Sequence, residues 1–291
     1  MVSDNIIGNI ISQGLFFNKI SGVDVEKTVR DLLNPRKALY QAEILQRYAQ
    51  LERKKVLEVG SGWGINHIVW VKKFGIDGYG VEPDSPGFDS SFRVSRELAA
   101  LNGLNPERIL DAAGESLPFE DKAFDIVYST NVLEHVTDPA RVLDEGLRVL
   151  KPGGVLQFVY PNYHSYFDGH YAVFHPPVLS RAFFPWYVQH VWARDPYFAT
   201  TLRTELNVFW TRRQLRRLKQ KYSFDLISLG QEVFLERMRT LDFATWAGLT
   251  KVKRALERLR RLGLTALAAR VLLWLQAWHP IILTLKKHED D

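Results

Sequence analysis

At 291 residues the chain can bury a full core, and its 46% hydrophobic and 24% charged residues are ordinary for a globular protein. With no cysteine it can form no disulfide, thiolate metal site or cysteine nucleophile, which fits a reducing, cytoplasmic setting. The net charge of +5 and pI near 9.3 suit an anionic membrane surface or a nucleic acid and specify neither.

Met1–Ser21 is apolar in patches but has neither a basic leader nor a small-residue cleavage site, so no secretory signal is expected there. Residues 1–50 read as an N-terminal helical lid, with a helix from Pro35 to Leu51. Over 51–160 short apolar runs then alternate with helix-length segments. Lys55–Val59 is the first predicted strand and Ile65–Phe74 a helix. Gly78–Val81 is the second strand, followed by a helix over Ser91–Asn102. Arg108–Leu110 is a weak third strand and Phe124–Ser129 a strong fourth. Pro139–Leu150 is a helix with proline in its first turn, Lys151–Gly154 a turn, and Val155–Tyr160 a fifth strand. This rhythm predicts an α/β fold, a doubly wound, mostly parallel, seven-stranded Rossmann-like sheet.

The rhythm breaks after Tyr160. Residues 161–210 are rich in aromatics and histidine and read as a substrate insertion. Residues 211–231 return to the sheet through a basic helix over Thr211–Tyr222 and a strand over Phe224–Leu229. A basic helical insertion occupies 232–278, helical from about Leu249 to Trp278, and 279–291 hold a closing strand, Ile281–Lys286, and a tail. Val271–Leu285 has about fifteen residues without a charge, short of the roughly 20 a spanning helix needs.

Chemistry concentrates at Val56-Leu57-Glu58-Val59-Gly60-Ser61-Gly62-Trp63-Gly64, a strand entering a glycine-rich turn at a helix start. Gly60, Gly62 and Gly64 let a ligand approach the main chain. Glu58 would repel a phosphate there and suits a cationic ligand. Glu82 ends the next strand about twenty residues on, where a carboxylate can accept both hydroxyls of a ribose. Those two pieces are shared with nicotinamide-binding folds. Three further segments favour a different cofactor: Ala113 to Phe119, Phe124 to Val136, and Val149-Leu150-Lys151-Pro152-Gly153-Gly154.

In order, spacing and wording, residues 54–160 resemble the class I S-adenosylmethionine-dependent methyltransferases, the group containing the UbiE- and UbiG-like enzymes. The resemblance implies S-adenosyl-L-methionine as cofactor and S-adenosyl-L-homocysteine as product. It implies that Glu58, Gly60, Gly62 and Gly64 line the methionine side and that Glu82 holds the ribose. It implies further that Gly114, Glu115 and Ser116 border the adenine and that Asn131 follows the fourth strand beside the cofactor. Where Ala113 stands the family commonly has Asp, an acceptor for the adenine amino group; backbone groups or Glu115 are the expected substitutes. In some quinone methyltransferases an acidic residue near the counterpart of Glu134-His135 helps bind a divalent metal. Here Asn131 takes that place, so no metal site is expected, and His135 reads as packing at a helix start.

The acceptor must be read by parts outside the core. His170 is the expected general base, with His164 second and His175 close behind. His170 follows the fifth strand, where open sheets bind ligands, and is flanked by Gly169 and Tyr171, with Asp168 placed to orient the ring. Tyr163, Tyr166, Phe167, Tyr171, Phe174, Trp186 and Trp192 could stack on rings. These features suggest an O-methyltransferase acting on a small-molecule or glycan hydroxyl, on a sugar, glycolipid or secondary metabolite. A membrane-associated lipid or quinone acceptor is the alternative, and a non-catalytic cofactor-binding scaffold is the rival from another class. Over 251–262, Val252, Ala255, Leu256, Leu259 and Leu262 share one helical face opposite Lys251, Lys253, Arg254, Arg258, Arg260 and Arg261. Such a helix can lie on an anionic membrane, peripheral to it, or pack on its own sheet. The small charge excess and the absence of a separate binding module argue against a nucleic-acid partner.

Overall fold

A computed structural model describes residues 25–84, 91–171, 173–175, 182–240 and 250–289. Strands β1 (Lys55–Val59), β2 (Asp77–Val81), β3 (Ile109–Leu110), β4 (Phe124–Thr130), β5 (Leu150–Tyr160), β8 (Phe224–Ser228) and β9 (Ile281–Lys287) form one sheet in the order β3-β2-β1-β4-β5-β9-β8. Neighbours from β3 to β5 are parallel, whereas β9 runs antiparallel to both β5 and β8. A separate antiparallel pair, β6 (Phe167–Asp168) and β7 (Val173–Phe174), lies in the insertion after β5. The expected doubly wound seven-stranded sheet is the fold observed.

Helices α1 (Val25–Leu32), α2 (Pro35–Leu45), α3 (Ile65–Phe74) and α4 (Ser91–Leu101) precede β3, and α5 (Pro139–Val149) joins β4 to β5. Each apolar run has a physical destination. In β1 the residues from Val56 to Val59 are all buried, as a central parallel strand covered on both faces requires. Asp138 caps α5, its side chain accepting from Ala140 N and Arg141 N, with Pro139 at the first turn. The helix α2 buries Ala38, Ala42 and Leu45 against Trp70, Ile126 and Tyr128. By contrast Val29 of α1, with Leu33 just beyond it, packs beside Trp63 of the glycine turn.

Several boundaries differ from those expected. Lys151–Gly154 is not a free turn but an irregular start to β5. Phe124 pairs with Leu150 and Ile126 with Val155, so the extra residues bulge out of register. The insertion after β5 also contains α6 (Phe183–Trp192) and α7 (Tyr197–Thr201), and the return to the sheet uses α8 (Val208–Leu218), capped by Asn207. Between β8 and β9 lie α9 (Gln231–Thr240), α10 (Thr250–Arg261) and α11 (Thr265–Trp274). The helical stretch expected from about 249 to 278 is resolved into two helices, α10 and α11, separated where Gly263 adopts φ +69°. Among the described residues, no helix is long and apolar enough to cross a membrane.

Candidate active site

The turn after β1 is built on left-handed backbone at Gly60, Gly62 and Gly64, with φ of +70°, +51° and +74°. Gly60 N and Ser61 N both donate to Val81 O, which folds the turn over the end of β2. A Cβ at Gly60 would overlap the Val132 side chain, so the segment after β4 lies directly against the turn.

Two carboxylates face this turn from buried positions. Glu58 accepts from Asn66 Nδ2 at 2.6 Å through Oε1, and its Oε2 has no hydrogen-bond partner. Burial, with a further push from the Glu82 charge, raises its carboxyl to about 8. Glu82 accepts from Gly62 N at 2.8 Å, and burial raises it to about 7. A buried acid with an orphaned oxygen, beside a second acid, fits a ligand that carries positive charge and donates hydrogen bonds.

The other expected cofactor residues divide into two kinds. A Cβ at Gly114 would come within 2.9 Å of Val59 and 3.1 Å of Val142, so this glycine answers to packing. Glu115 accepts from Thr137 N and Asp138 N at 2.8 and 3.2 Å, both through Oε1, and thereby anchors the entry to α5. Only Oε2 of Glu115 is left to act in place of the missing acid at Ala113. Ser116 and Asn131 are exposed; Asn131 has φ +54° and its N donates to Val159 O at 2.8 Å.

A second buried group gathers on the segment after β4 and the β6–β7 connection. His170 Nδ1 lies 3.2 Å from Asp168 Oδ2, and its Nε2 lies 3.8 Å from Glu134 Oε1. Asp168 Oδ1 accepts from Tyr171 N at 2.8 Å, which fixes the carboxylate. Burial opposes the His170 cation, but the Asp168 charge and hydrogen bond and the Glu134 charge prevail and raise its pKa. Burial likewise works against the Asp168 charge, yet His170 keeps that carboxyl below its ordinary value. Glu134 is fully buried, neither oxygen has a hydrogen-bond partner, and burial raises it to about 7. Glu134 stands two residues beyond Val132, which ties this group to the glycine turn.

His164 does not join it: its ring packs edge-on against Phe209, and its N donates to Asn162 Oδ1. His175 is buried beside Phe184. His135 stacks on Phe198 and meets His170 edge-on, in a turn rather than at a helix start, since α5 begins at Pro139. Among the residues expected to form a stacking wall, Tyr163, Phe167 and Tyr171 belong instead to the main core, whereas Trp186 is exposed and stacks on Phe183. No sequence signal marked His279: half-buried, it accepts from Asn162 N at 3.3 Å, and desolvation lowers it to about 3. Nor was Glu134 read as a site residue, although it adjoins the Asn131 already singled out. No metal set was expected, yet one ligand atom each from Glu134, His135 and His170 lie within 4.8 Å of one another.

Residues 57–158 match the family model described as a methyltransferase domain. An uncharacterized methyltransferase of Mycobacterium sp. (strain KMS) is 37% identical over 117 residues, 40% of this chain and 42% of that protein. The chain thus spans less than half the length of such curated relatives. A Galdieria sulphuraria protein named as a sarcosine dimethylglycine methyltransferase superposes with TM-score 0.53 at 18% identity, over 91% of this chain and 89% of its own. The [4+2]-cyclase SpnF superposes with TM-score 0.51 at 20% identity, over 86% and 80%. These likenesses establish the fold, which a methyltransferase and a cyclase share.

Proposed function

The core of this chain belongs to the class I S-adenosylmethionine-dependent methyltransferases, and from that premise we propose that the protein methylates a hydroxyl of a sugar, glycolipid or secondary metabolite. The observation that carries this reading is the half-buried His170, held through Nδ1 by Asp168 and with Nε2 3.8 Å from Glu134 Oε1.

When bound, S-adenosylmethionine supplies a sulfonium methyl group and leaves as the neutral thioether S-adenosylhomocysteine. Glu58, Asn66 and the turn at Gly60, Gly62 and Gly64 would hold its methionine end, and Glu82 its ribose. The task left to the rest of the chain is to align the acceptor and take its proton. A hydroxyl is a poor nucleophile at neutral pH. Neutral His170 would accept the hydroxyl proton at Nε2, leaving the acceptor oxygen free to take the methyl group that the bound cofactor would supply. Asp168 holds the ring in the Nδ1–H tautomer and stabilises the imidazolium that forms. Glu134, protonated, can donate to the acceptor oxygen's neighbour; ionised, it steadies the same cation.

A second reading rests on the convergence of Glu134, His135 and His170. A divalent cation there would gain a carboxylate and two imidazoles, with Asp168 bonded to the far nitrogen of a ligand histidine, and would replace base catalysis with acceptor binding.

The experiment that tests the main reading incubates methyl-labelled cofactor with fractionated host extract and identifies the labelled product. A label on a sugar or metabolite oxygen supports it, and one on a lipid or quinone selects the membrane acceptor. Binding without any labelled product leaves the scaffold. Loss of turnover on chelation, restored by one metal ion, selects the second reading.

A further inference from the structure

We propose that α11, with the turn joining it to α10, is a seat for an anionic lipid surface. The helix α11 is apolar nearly all round. Ala269 is buried, and Ala268, Leu272 and Leu273 pack against the main core. That face satisfies the fold. The opposite face remains in water: Leu267 is 59% and Trp274 80% exposed, Val271 lies between them, and Leu264 and the 70% exposed Leu262 extend the row across the turn at Gly263. The spacing of Leu264, Leu267, Val271 and Trp274 is that of one helical stripe. A continuous apolar ridge with an exposed tryptophan is uncommon on a protein surface without a ligand for it.

Charge identifies the occupant. Arg254, Arg258, Arg260 and Arg261 on α10 and Arg270 on α11 itself are all exposed, on the two helices that the turn carrying Leu262 and Leu264 joins. Glu257 is the only acidic residue between Thr250 and Leu275. No ion pair joins these arginines to a carboxylate among the described residues. A second copy docked on the same ridge by a twofold axis would set arginines against arginines and be repelled. An anionic bilayer offers both what the ridge needs, an apolar layer for leucine and tryptophan, and what the arginines need, phosphate headgroups. The basic helix α10 is not itself the buried element. Leu256 and Leu259 pack it on the core, and Ala255 is exposed rather than part of a lipid-facing stripe. The inference does not depend on which acceptor is methylated.

The test is flotation of the full chain with vesicles of phosphatidylcholine containing about one-third phosphatidylglycerol, against phosphatidylcholine alone, at low salt and at about 0.5 M salt. The expected result is binding to the anionic vesicles at low salt and release at high salt. Trp274→Ala and Leu267→Ala should each weaken binding at least about threefold, and Arg258→Glu with Arg261→Glu and Arg270→Glu should abolish it. S-adenosylhomocysteine affinity, unchanged in every variant, certifies the fold. Failure of the wild type to float at low salt overturns the proposal. So does binding indifferent to Trp274 and Leu267, or a concentration-dependent dimer that Trp274→Glu dissociates without any lipid binding.

Discussion

His170 and Asp168 form a carboxylate–imidazole pair 3.2 Å apart where β6 runs into its connection to β7, with the carboxylate buried and the ring half-buried. The pair sets a directional pH requirement. A base must be neutral to act, and the pKa of His170 is raised against the pull of burial. The acid limb of kcat/KM should therefore lie above the ordinary imidazole value of about 6.5. His170→Ala should lower turnover roughly 10²–10⁴-fold with cofactor affinity little changed. Asp168→Asn should move the limb to lower pH as well as slow the reaction, a shift that loss of packing alone would not produce. Near-normal turnover of His170→Ala on the true acceptor would place the base elsewhere.

The same two groups link stability to pH in opposite directions. The Asp168 contribution is present above its unfolded pKa and is lost as pH falls through its depressed folded value. The His170 contribution is present below about 6.5 and is lost as pH rises through its raised folded value. In equilibrium denaturation at several pH values, His170→Ala should flatten the decline on the alkaline side.

Cofactor binding should release protons. Glu58 and Glu82 hold theirs to about 8 and about 7 in the free protein, and a cationic, hydroxyl-bearing ligand favours the ionised forms of both. Calorimetry at pH 7 in two buffers of different ionisation enthalpy should give different binding enthalpies, and Glu58→Gln should shrink the difference. Identical enthalpies in both buffers would remove Glu58 and Glu82 from the cofactor cradle. Glu82→Ala should further cost about 1.5–3 kcal/mol of binding, roughly ten- to a hundredfold.

Gly60→Ala should harm the protein more than Gly103→Ala, although both glycines have positive φ, +70° and +75°. Each alanine meets the left-handed penalty of about 1–2 kcal/mol. Only at position 60 does the new methyl also strike a neighbour, Val132, adding about 1–3 kcal/mol of overpacking. Thermal unfolding should rank the two variants in that order, and equal losses would deny the close approach of Val132.

Lys287 is buried at the end of β9 and donates to Leu147 O at 3.1 Å and Leu150 O at 3.2 Å, the carbonyls that close α5. Lys287→Met keeps the stem and leaves those carbonyls without this donor. The variant should unfold about 1.5–3 kcal/mol more easily in urea, with cofactor affinity of the folded protein intact. A wild-type midpoint would show that water replaces the ammonium.

The sequence alone determined what local forces govern. Val56–Val59 could only be a buried strand, Gly60, Gly62 and Gly64 could only be a tight turn, and Asp138-Pro139 announced a helix. These signals depend on backbone freedom, capping and apolar period within a few residues, so the doubly wound sheet was legible in the sequence, and the family resemblance implied the cofactor class. The meeting of Glu134 with His170 was not, because β5 separates them in the chain and only the return of the β6–β7 connection over the sheet's carboxyl edge brings them together. Glu115, expected at the adenine, also holds the backbone of Thr137 and Asp138 through Oε1, a contact no sequence pattern announced. Lys287, outside the strand the pattern marked, was drawn inside by two helix-end carbonyls. In α11 an apolar composition gave no sign of which face would be used, since burial of Ala269 rather than Trp274 was decided by the shape of the core it had to cover. Local propensity selects the elements; which polar and apolar groups find partners depends on surfaces that exist only after those elements have packed.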